Sequence, residues 1–537
     1  MSIVDRLFKV TKETAEQIAD EIKQDQGQRR DAFKEQLGEV ATLVERLTAE
    51  EADFGRFEQQ LHEALMQLGL RGSESYLAEK RQVPERKMND ASGQVYKYVE
   101  EKKCELRSIF GEGSYTSSLY QRGESGDKRR QLVALDSQVG LLPAGGLSPN
   151  LALELVNLIT RMPYDQAKEV MEYFRPYVPS KRSICGIIDL IGPHAEGVLD
   201  ELECEAGEVA EIQMDARGAP KIREEEYAKR CKPHKKRPRG EKRPKGKRRR
   251  YRVGEKKARP RLTKGQKSKN KKRVTVGVIS SLNKQADGSW EGPFGKYIAR
   301  FGDAEQVFKR LRQALDRMGP GVQQVVFYSD GDPQYARLAR KYFPTATIVV
   351  DFYHVGEYLW KAGETLYKEG SKELIGFVEQ LKEMVCNDEV EEVLSILWSK
   401  HETIPKRGPG TKGRRKRMLQ TINYISKRVW QMPYKELREQ QLEIGSGMIE
   451  SAVRQVVALR LEGPGMKWGE GRDQLILHLL CVRLSGAWDI LVEAIRQWAH
   501  QPHHRRRITP VGVNEGKKQQ QTATSSTPQG QIEAEAA

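Results

Sequence analysis

From Phe33 onward the apolar positions step by four and three: Phe33, Leu37, Val40, Val44 and Leu47. Phe54, Phe57, Leu61, Leu65 and Leu68 carry the same seam further. This spacing predicts helix over 10–70, and it suits a coiled coil, a long helical hairpin, or an ordinary amphipathic helix packed on its own domain. Over 95–140 the periodicity breaks into short strands and turns, punctuated by Gly111, Gly113 and Gly123. Ser148 and Pro149 then mark a helix start that runs to Arg161, and two more helices follow over 164–173 and 180–191. The last two share a tight joint and resemble a helix-turn-helix. Its second member opens on Ser180, Lys181, Arg182 and Ser183, groups that reach phosphate or base edges.

Past residue 205 the period shortens to two. Strands are predicted over 208–216, ending near Asp215, and then at 274–279 and 297–301. An amphipathic helix over 304–318 leads to the apolar run Val325-Val326-Phe327-Tyr328, which ends in Ser329-Asp330-Gly331-Asp332. A second helix over 334–343 leads to Ala346-Thr347-Ile348-Val349-Val350, which ends in Asp351-Phe352-Tyr353-His354. Three successive strands followed by alternating helix and strand make an α/β fold with a ribonuclease H-like core. The chain then reads as wholly helical over 355–445, an all-helical insertion. The core resumes over 446–500, where a helix beginning at Met448 carries Glu450. The expected organisation is therefore a helical segment over 1–94 and a mixed DNA-binding region over 95–200. The core is divided between 205–354 and 446–500, and a polar tail over 503–537 lacks apolar periodicity.

Charge alters this picture at one place. Residues 229–273 hold 25 Lys or Arg against Glu241 and Glu255, which makes the segment +23; the whole chain is +17, so the remainder is mildly acidic. Such a strip repels itself unless a polyanion neutralises it, and phosphate contacts that release counterions favour nucleic acid. Arg248, Arg249, Arg250, Lys271 and Lys272 are its candidate phosphate contacts. Tyr251 is its lone aromatic residue, so stacking on single-stranded bases is not its main mode. No apolar run reaches 18 residues, so no membrane span is expected. The opening residues lack an apolar signal core, which points to a cytoplasmic, nucleoid-associated protein. The six cysteines form no Cys-x-x-Cys pair, which argues against a zinc ribbon or a disulfide framework.

Acidic residues at the carboxyl ends of parallel strands sit where open α/β sheets keep their chemistry, and clustered carboxylates repel unless a cation lies between them. Asp215, Asp330 and Glu450 are the candidate catalytic and metal-holding set, with Mg²⁺ or Mn²⁺ as the ion and two-metal phosphodiester chemistry as the reaction. Asp332 is a rival in the same loop, farther from the strand. Asp351 and His354 are supporting residues: His354 is open to a structural role, to binding phosphate or to positioning Asp351. Trp468, after a glycine-rich stretch, suits stacking on an extruded base or packing in a core.

Three separated motifs resemble bacterial DDE transposases of the ISKra group, relatives of the Mutator-like elements. They are Ser329-Asp330-Gly331; Asp351-Phe352-Tyr353-His354 with Glu357, Leu359 and Trp360; and Gly445-Ser446-Gly447-Met448-Ile449-Glu450-Ser451. Gly145–Pro149, Gly465–Trp468 and Leu484–Trp488 also look like that group. The resemblance spans roughly 95–490. It implies a ribonuclease H-like core with a helical insertion and DNA transposition with Mg²⁺ and no covalent enzyme–DNA intermediate. It puts Asp215, Asp330 and Glu450 on the acidic triad, and Asp351 and His354 on an Asp-x-x-His signature. The expected partners are double-stranded DNA, as terminal inverted repeats and as target, and further copies of the chain in a homodimer or higher oligomer. Two other functions remain open at this point: a structure-specific endonuclease on the same core, and a non-catalytic DNA-binding protein derived from a transposase.

Overall fold

The computed structural model describes residues 12–49, 53–122, 131–222, 271–292, 295–463, 466, 468–469 and 471–503. Two helices open the chain, α1 (Lys12–Ala49) and α2 (Phe54–Glu79), the second capped by Asp53, which accepts from the Arg56 N–H. They fold back on one another. Gln26 donates to the Ala78 carbonyl, Arg30 pairs with Glu79, and Phe33 lies against Gly72. The predicted seam is only partly covered, because Leu47 is buried while Leu37, Phe54 and Leu65 remain exposed.

The hairpin packs on an antiparallel sheet of β1 (Lys87–Asn89), β2 (Val95–Ser108), β3 (Gly111–Gln121) and β4 (Gln131–Val133). Residues 95–121 thus form two long strands rather than the short ones that the glycines suggest. Gly113 lies inside β3, where an added Cβ would sit 2.7 Å from Glu74 Oε1. It lets α2 approach the sheet instead of breaking the strand.

After α3 (Ala134–Val139) come α4 (Pro149–Arg161), α5 (Tyr164–Phe174) and α6 (Lys181–Glu201). Ser148 and Ser180 cap α4 and α6 by accepting the Leu151 and Ser183 N–H groups. Helix α6 runs ten residues past Ile191 and carries Pro193 in its interior. Ile184, Ile187, Ile188, Ile191 and Ala195 are fully buried along it, so apolar packing holds the helix through the proline.

The central sheet makes the molecule α/β. It contains β5 (Val209–Pro220), β6 (Lys271–Lys284), β7 (Trp290–Glu291), β8 (Lys296–Phe301), β9 (Gln324–Ser329) and β10 (Thr347–Val350). The order is β10-β9-β5-β6-β7, with β8 also on β6; β5 is antiparallel to β6 and parallel to β9, and β9 is parallel to β10. One face carries α7 (Ala304–Arg317) and α8 (Pro333–Tyr342) over Ile212, Met214, Ile279 and Phe327. Gly277 admits α7 closely, since a Cβ there would meet Leu311 and Val307 within 3 Å.

The opposite face is shared. Over β6 and β8 lie α6, α14 (Gly447–Val453) with its π-helical continuation Arg454–Leu459, α15 (Arg472–Leu484) and α16 (Trp488–Ala499). Over β9 and β10 lies a helical block of α9 (Phe352–Gly363), α10 (Lys372–Cys386), α11 (Val390–Thr403), α12 (Thr411–Ser426) and α13 (Tyr434–Glu439). Its core is continuous with Val326, Tyr328, Val349 and Val350 of the sheet. No helix among the described residues is long and apolar enough to cross a membrane.

Candidate active site

Parallel pairing fixes the relation of three aspartates. Met214 of β5 pairs with Ser329 of β9, and Ser329 pairs with Val350 of β10. Asp215, Asp330 and Asp351 are each the next residue, so three neighbouring strands present an aspartate at one level, with adjacent strands roughly 4.8 Å apart. The Asp351 N–H closes this end of the sheet by donating to the Ser329 carbonyl at 2.8 Å.

Asp215 is partly buried. Burial first, and then the Asp330 carboxylate, push its carboxyl above the ordinary value. The Ala216 N–H, donating at 2.6 Å, works against this, as do His354 and Arg273. Asp330 opens a turn in which its Oδ1 accepts the Asp332 N–H at 2.9 Å. Asp332 is engaged elsewhere, capping α8 through the Gln334 N–H and pairing with Arg273 at 3.1 Å. Ser329 is fully buried, and its Oγ accepts the Gly331 N–H.

The helical block braces this turn. Tyr424 donates to the Asp330 carbonyl at 2.8 Å, Arg428 Nε to the Gly331 carbonyl at 2.8 Å, and Tyr434 to the Val350 carbonyl at 2.7 Å. Tyr424 stacks on Tyr358 with centroids 3.8 Å apart, and the Arg428 guanidinium lies 4.0 Å over Tyr424. His354 sits edge-on to both tyrosines and reaches Glu357 at 4.0 Å.

Asp351 acts as a cap. Its Oδ1 accepts the Tyr353 and His354 N–H groups at the start of α9, and its Oδ2 accepts from the Ser446 N–H and hydroxyl. Glu450 lies four residues on, exposed on α14, which is seated over β5 by the Ile449 N–H donating to Gln213 Oε1 at 3.1 Å. Among the described residues no three carboxylate, imidazole or thiol groups stand close enough to hold a metal, so Glu450 is not drawn into a cluster with Asp215 and Asp330.

The candidate DNA contacts are dispersed. Lys181 is exposed at the start of α6 and pairs with Asp165, and Arg182 is exposed beside it. Lys271 pairs with Glu462 at 2.5 Å, as Arg217 does at 2.6 Å, and Lys272 is exposed on β6. Arg248, Arg249 and Arg250 lie outside the described residues, as does the polar tail from residue 504 onward. Trp468 is half-buried: its Nε1 donates to the Leu461 carbonyl, and its ring lies edge-on to Tyr164 and 4.9 Å from the Arg460 guanidinium.

Sequence reading did not single out Gln213, Arg273, Tyr424, Arg428 or Ser446 for the roles they have here. Gln213 was masked by the alternation of Glu211, Gln213 and Asp215 with Ile212 and Met214, which reads as an ordinary polar face.

The sheet is mixed, and its parallel strands β5, β9 and β10 present the aspartates at one level, on the side where α/β sheets bind ligands. Residues 302–451 match a family model of DDE type, named for ISL3 and described as Transposase. That stretch holds Asp330, Asp351, His354 and Glu450, and begins after Asp215. The match supports a DDE transposase. No curated protein matches the chain.

Proposed function

We propose that this chain is an insertion-sequence transposase that cleaves DNA at element ends and joins the freed 3′-hydroxyl to target DNA. The observation that carries this reading is the register that sets Asp215 beside Asp330 at the carboxyl edge of the sheet. The strand order β8-β6-β5-β9-β10, three antiparallel strands followed by two parallel ones, supports a ribonuclease H-like core. The narrower likeness to the ISKra and Mutator-like group rests on the Asp-x-x-His and Gly-Ser-Gly-Met-Ile-Glu motifs.

Asp215 and Asp330, two all-oxygen donors on neighbouring strands, the first with its carboxyl pushed up by burial and then by the charge of the second, fit Mg²⁺ or Mn²⁺. Asp215 and Asp330 would hold the ion, with Glu450 as the third carboxylate of the set. When bound, such ions supply Lewis-acid activation of water and of the scissile phosphate. Asp332 is occupied by Arg273 and its own helix, whereas the Asp330 carboxylate is engaged by the Asp332 N–H at Oδ1, which favours Asp330 of the two as the metal-holding group. The buried Ser329 is no candidate for a covalent intermediate.

The basic strip joins the frame from a telling direction. β5 and β6 remain paired from Val209–Leu282 out to Pro220–Lys271. Residues 223–270 therefore connect a hairpin whose last pair lies five residues beyond Asp215, about 17 Å along the strand. The chain that carries the +23 segment thus departs from β5 and returns into β6 beyond the aspartates, and its assigned role is to hold the DNA backbone. Lys181 and Arg182, with the N-terminal regions, serve the terminal repeats.

The test uses plasmid DNA carrying the inverted repeats that flank the gene, together with pre-cleaved ends. Mg²⁺-dependent cleavage followed by end joining is the expected result. Cleavage of branched DNA without joining would favour a structure-specific nuclease, and binding without any cleavage would favour a non-catalytic descendant.

A further inference from the structure

Ser446 stands at the N-cap of α14, where a serine ordinarily returns its hydroxyl to an N–H of its own helix. Here it makes no such bond: its φ and ψ are −107° and 44°, and the hydroxyl goes to Asp351 Oδ2 instead. The other oxygen of Asp351 caps α9. One carboxylate therefore ties the starts of two helices to the end of β10, and neither oxygen is left over.

A second tether lies three residues further on. The Ile449 N–H, a first-turn donor that an ordinary cap would satisfy, goes to Gln213. Gln213 is 3% exposed and lies on β5 two residues before Asp215, on the same face of the strand. Glu450 is the next residue after the tethered one. Gly445, ahead of Ser446, lies against the Tyr353 ring, where a Cβ would be 2.4 Å from the nearest carbon. The approach to α14 is thus fixed by close packing and two sheet-borne hydrogen-bond acceptors, while the helix itself has only seven residues before it becomes π-helical.

We infer that Asp351, Ser446 and Gln213 are positioning residues that fix the start of α14, and so the backbone position from which the exposed Glu450 would join Asp215 and Asp330, and that Asp351 is not itself a ligand or an acid–base group. This rests on the reading of those three acids as the reactive set. A carboxylate accepting from a backbone N–H and a hydroxyl is a strong, directional anchor. A displacement of about 1 Å in a reacting group can cost roughly a hundredfold in rate.

The test is nicking of plasmid DNA carrying the element ends by the full-length protein, with Mg²⁺ titrated and DNA affinity and melting temperature followed in parallel. Ser446→Ala and Gln213→Leu are each expected to lower the cleavage rate roughly tenfold to a hundredfold. They should also raise the Mg²⁺ concentration needed for half-maximal rate while leaving DNA affinity unchanged. Ser446→Thr should restore most of the rate, and Asp351→Asn should retain measurable cleavage while Asp330→Asn has none. Gln213→Leu carries the test alone if Ser446→Ala melts below the assay temperature. Wild-type rates and Mg²⁺ dependence in Ser446→Ala and Gln213→Leu would overturn the inference. So would an Asp351→Asn as inert as Asp330→Asn with both tether variants active. Normal cleavage by Asp330→Asn would instead remove the functional reading beneath it.

Discussion

Arg428 donates its Nε hydrogen to the Gly331 carbonyl across 97 residues of sequence, and Gly331 is the residue that follows Asp330. The helical block is therefore a brace for the acidic turn. Its removal would free the Asp330 backbone as well as delete a surface.

Gly331→Ala tests the brace from the turn side. Gly331 has φ of +78°, and an added Cβ would lie 2.4 Å from Arg428 Nε. The left-handed conformation alone costs about 1–2 kcal/mol for a residue with a side chain. The expected outcome is a lowered melting temperature together with loss of cleavage. Arg428→Met, which keeps the apolar stem and orphans the carbonyl, should cost about 1–3 kcal/mol in urea unfolding.

Asp215→Asn, Asp330→Asn and Glu450→Gln should each abolish Mg²⁺-dependent cleavage, with a fall of at least about a thousandfold, and leave duplex affinity near wild type. Gel-shift and cleavage assays on the same preparations check this. Wild-type cleavage by any one of them would remove that residue from the set.

Glu211 gives a pH signature. It is buried on the same face of β5 as Asp215; burial first, and then Glu443, push its carboxyl up to about 7, against the bond with Tyr328. An unfolded glutamate titrates near 4.3. Between about 4.3 and 7 the folded protein keeps a proton that the unfolded chain has released, so stability falls as pH rises through that window, by about 1.4 kcal/mol per pH unit at most. Glu211→Gln removes this titration. The difference in unfolding free energy should shift in favour of the variant from pH 5 to pH 8; Asp215, raised in the same direction, is present in both proteins and cancels.

Removing residues 235–270 should weaken duplex binding and flatten its dependence on salt. Every phosphate that the shortened protein no longer neutralises lowers the log–log slope by roughly 0.9. Equilibrium binding at several salt concentrations gives the slope directly, and an unchanged slope would mean that the strip does not touch the backbone.

Trp468→Ala separates packing from stacking. The ring covers the buried Arg460 guanidinium, whose Nη2 already lacks a hydrogen-bond partner. Truncating a packed tryptophan costs about 3–5 kcal/mol. The expected outcome is lost stability with activity falling in step. Lost base extrusion, read by a fluorescent base analogue, at unchanged stability would assign the ring to DNA instead.

The strands around Asp330 and Asp351 were legible because β-branched runs ending in Asp-Gly and Asp-Phe carry their own local signal. The helical block was legible from the change of period after His354. The full length of α6 was not, because Pro193 reads as a stop in isolation and only burial of Ile184–Ile191 against neighbouring helices overrides it. The long β2 and β3 were hidden because Lys and Glu crowd β2, β3 buries polar Ser117 and Ser118, and Gly113 mimics a turn. Of the site, the register of Asp215 with Asp330 depends on pairing between distant strands. The Gln213–Ile449 bond joins residues 236 apart, which no local pattern encodes.

The Pro220–Lys271 pair closes the β5–β6 hairpin and holds the two ends of the connecting stretch, which carries the cationic segment, at neighbouring strand positions. A sheet that already brings those ends together is indifferent to the length and content of what hangs between them. The hairpin tip is thus a ready graft point: a module with its own DNA preference, spliced there, would be attached to the strand that carries Asp215, next to the one that leads to Asp330, without rebuilding the scaffold that supports them.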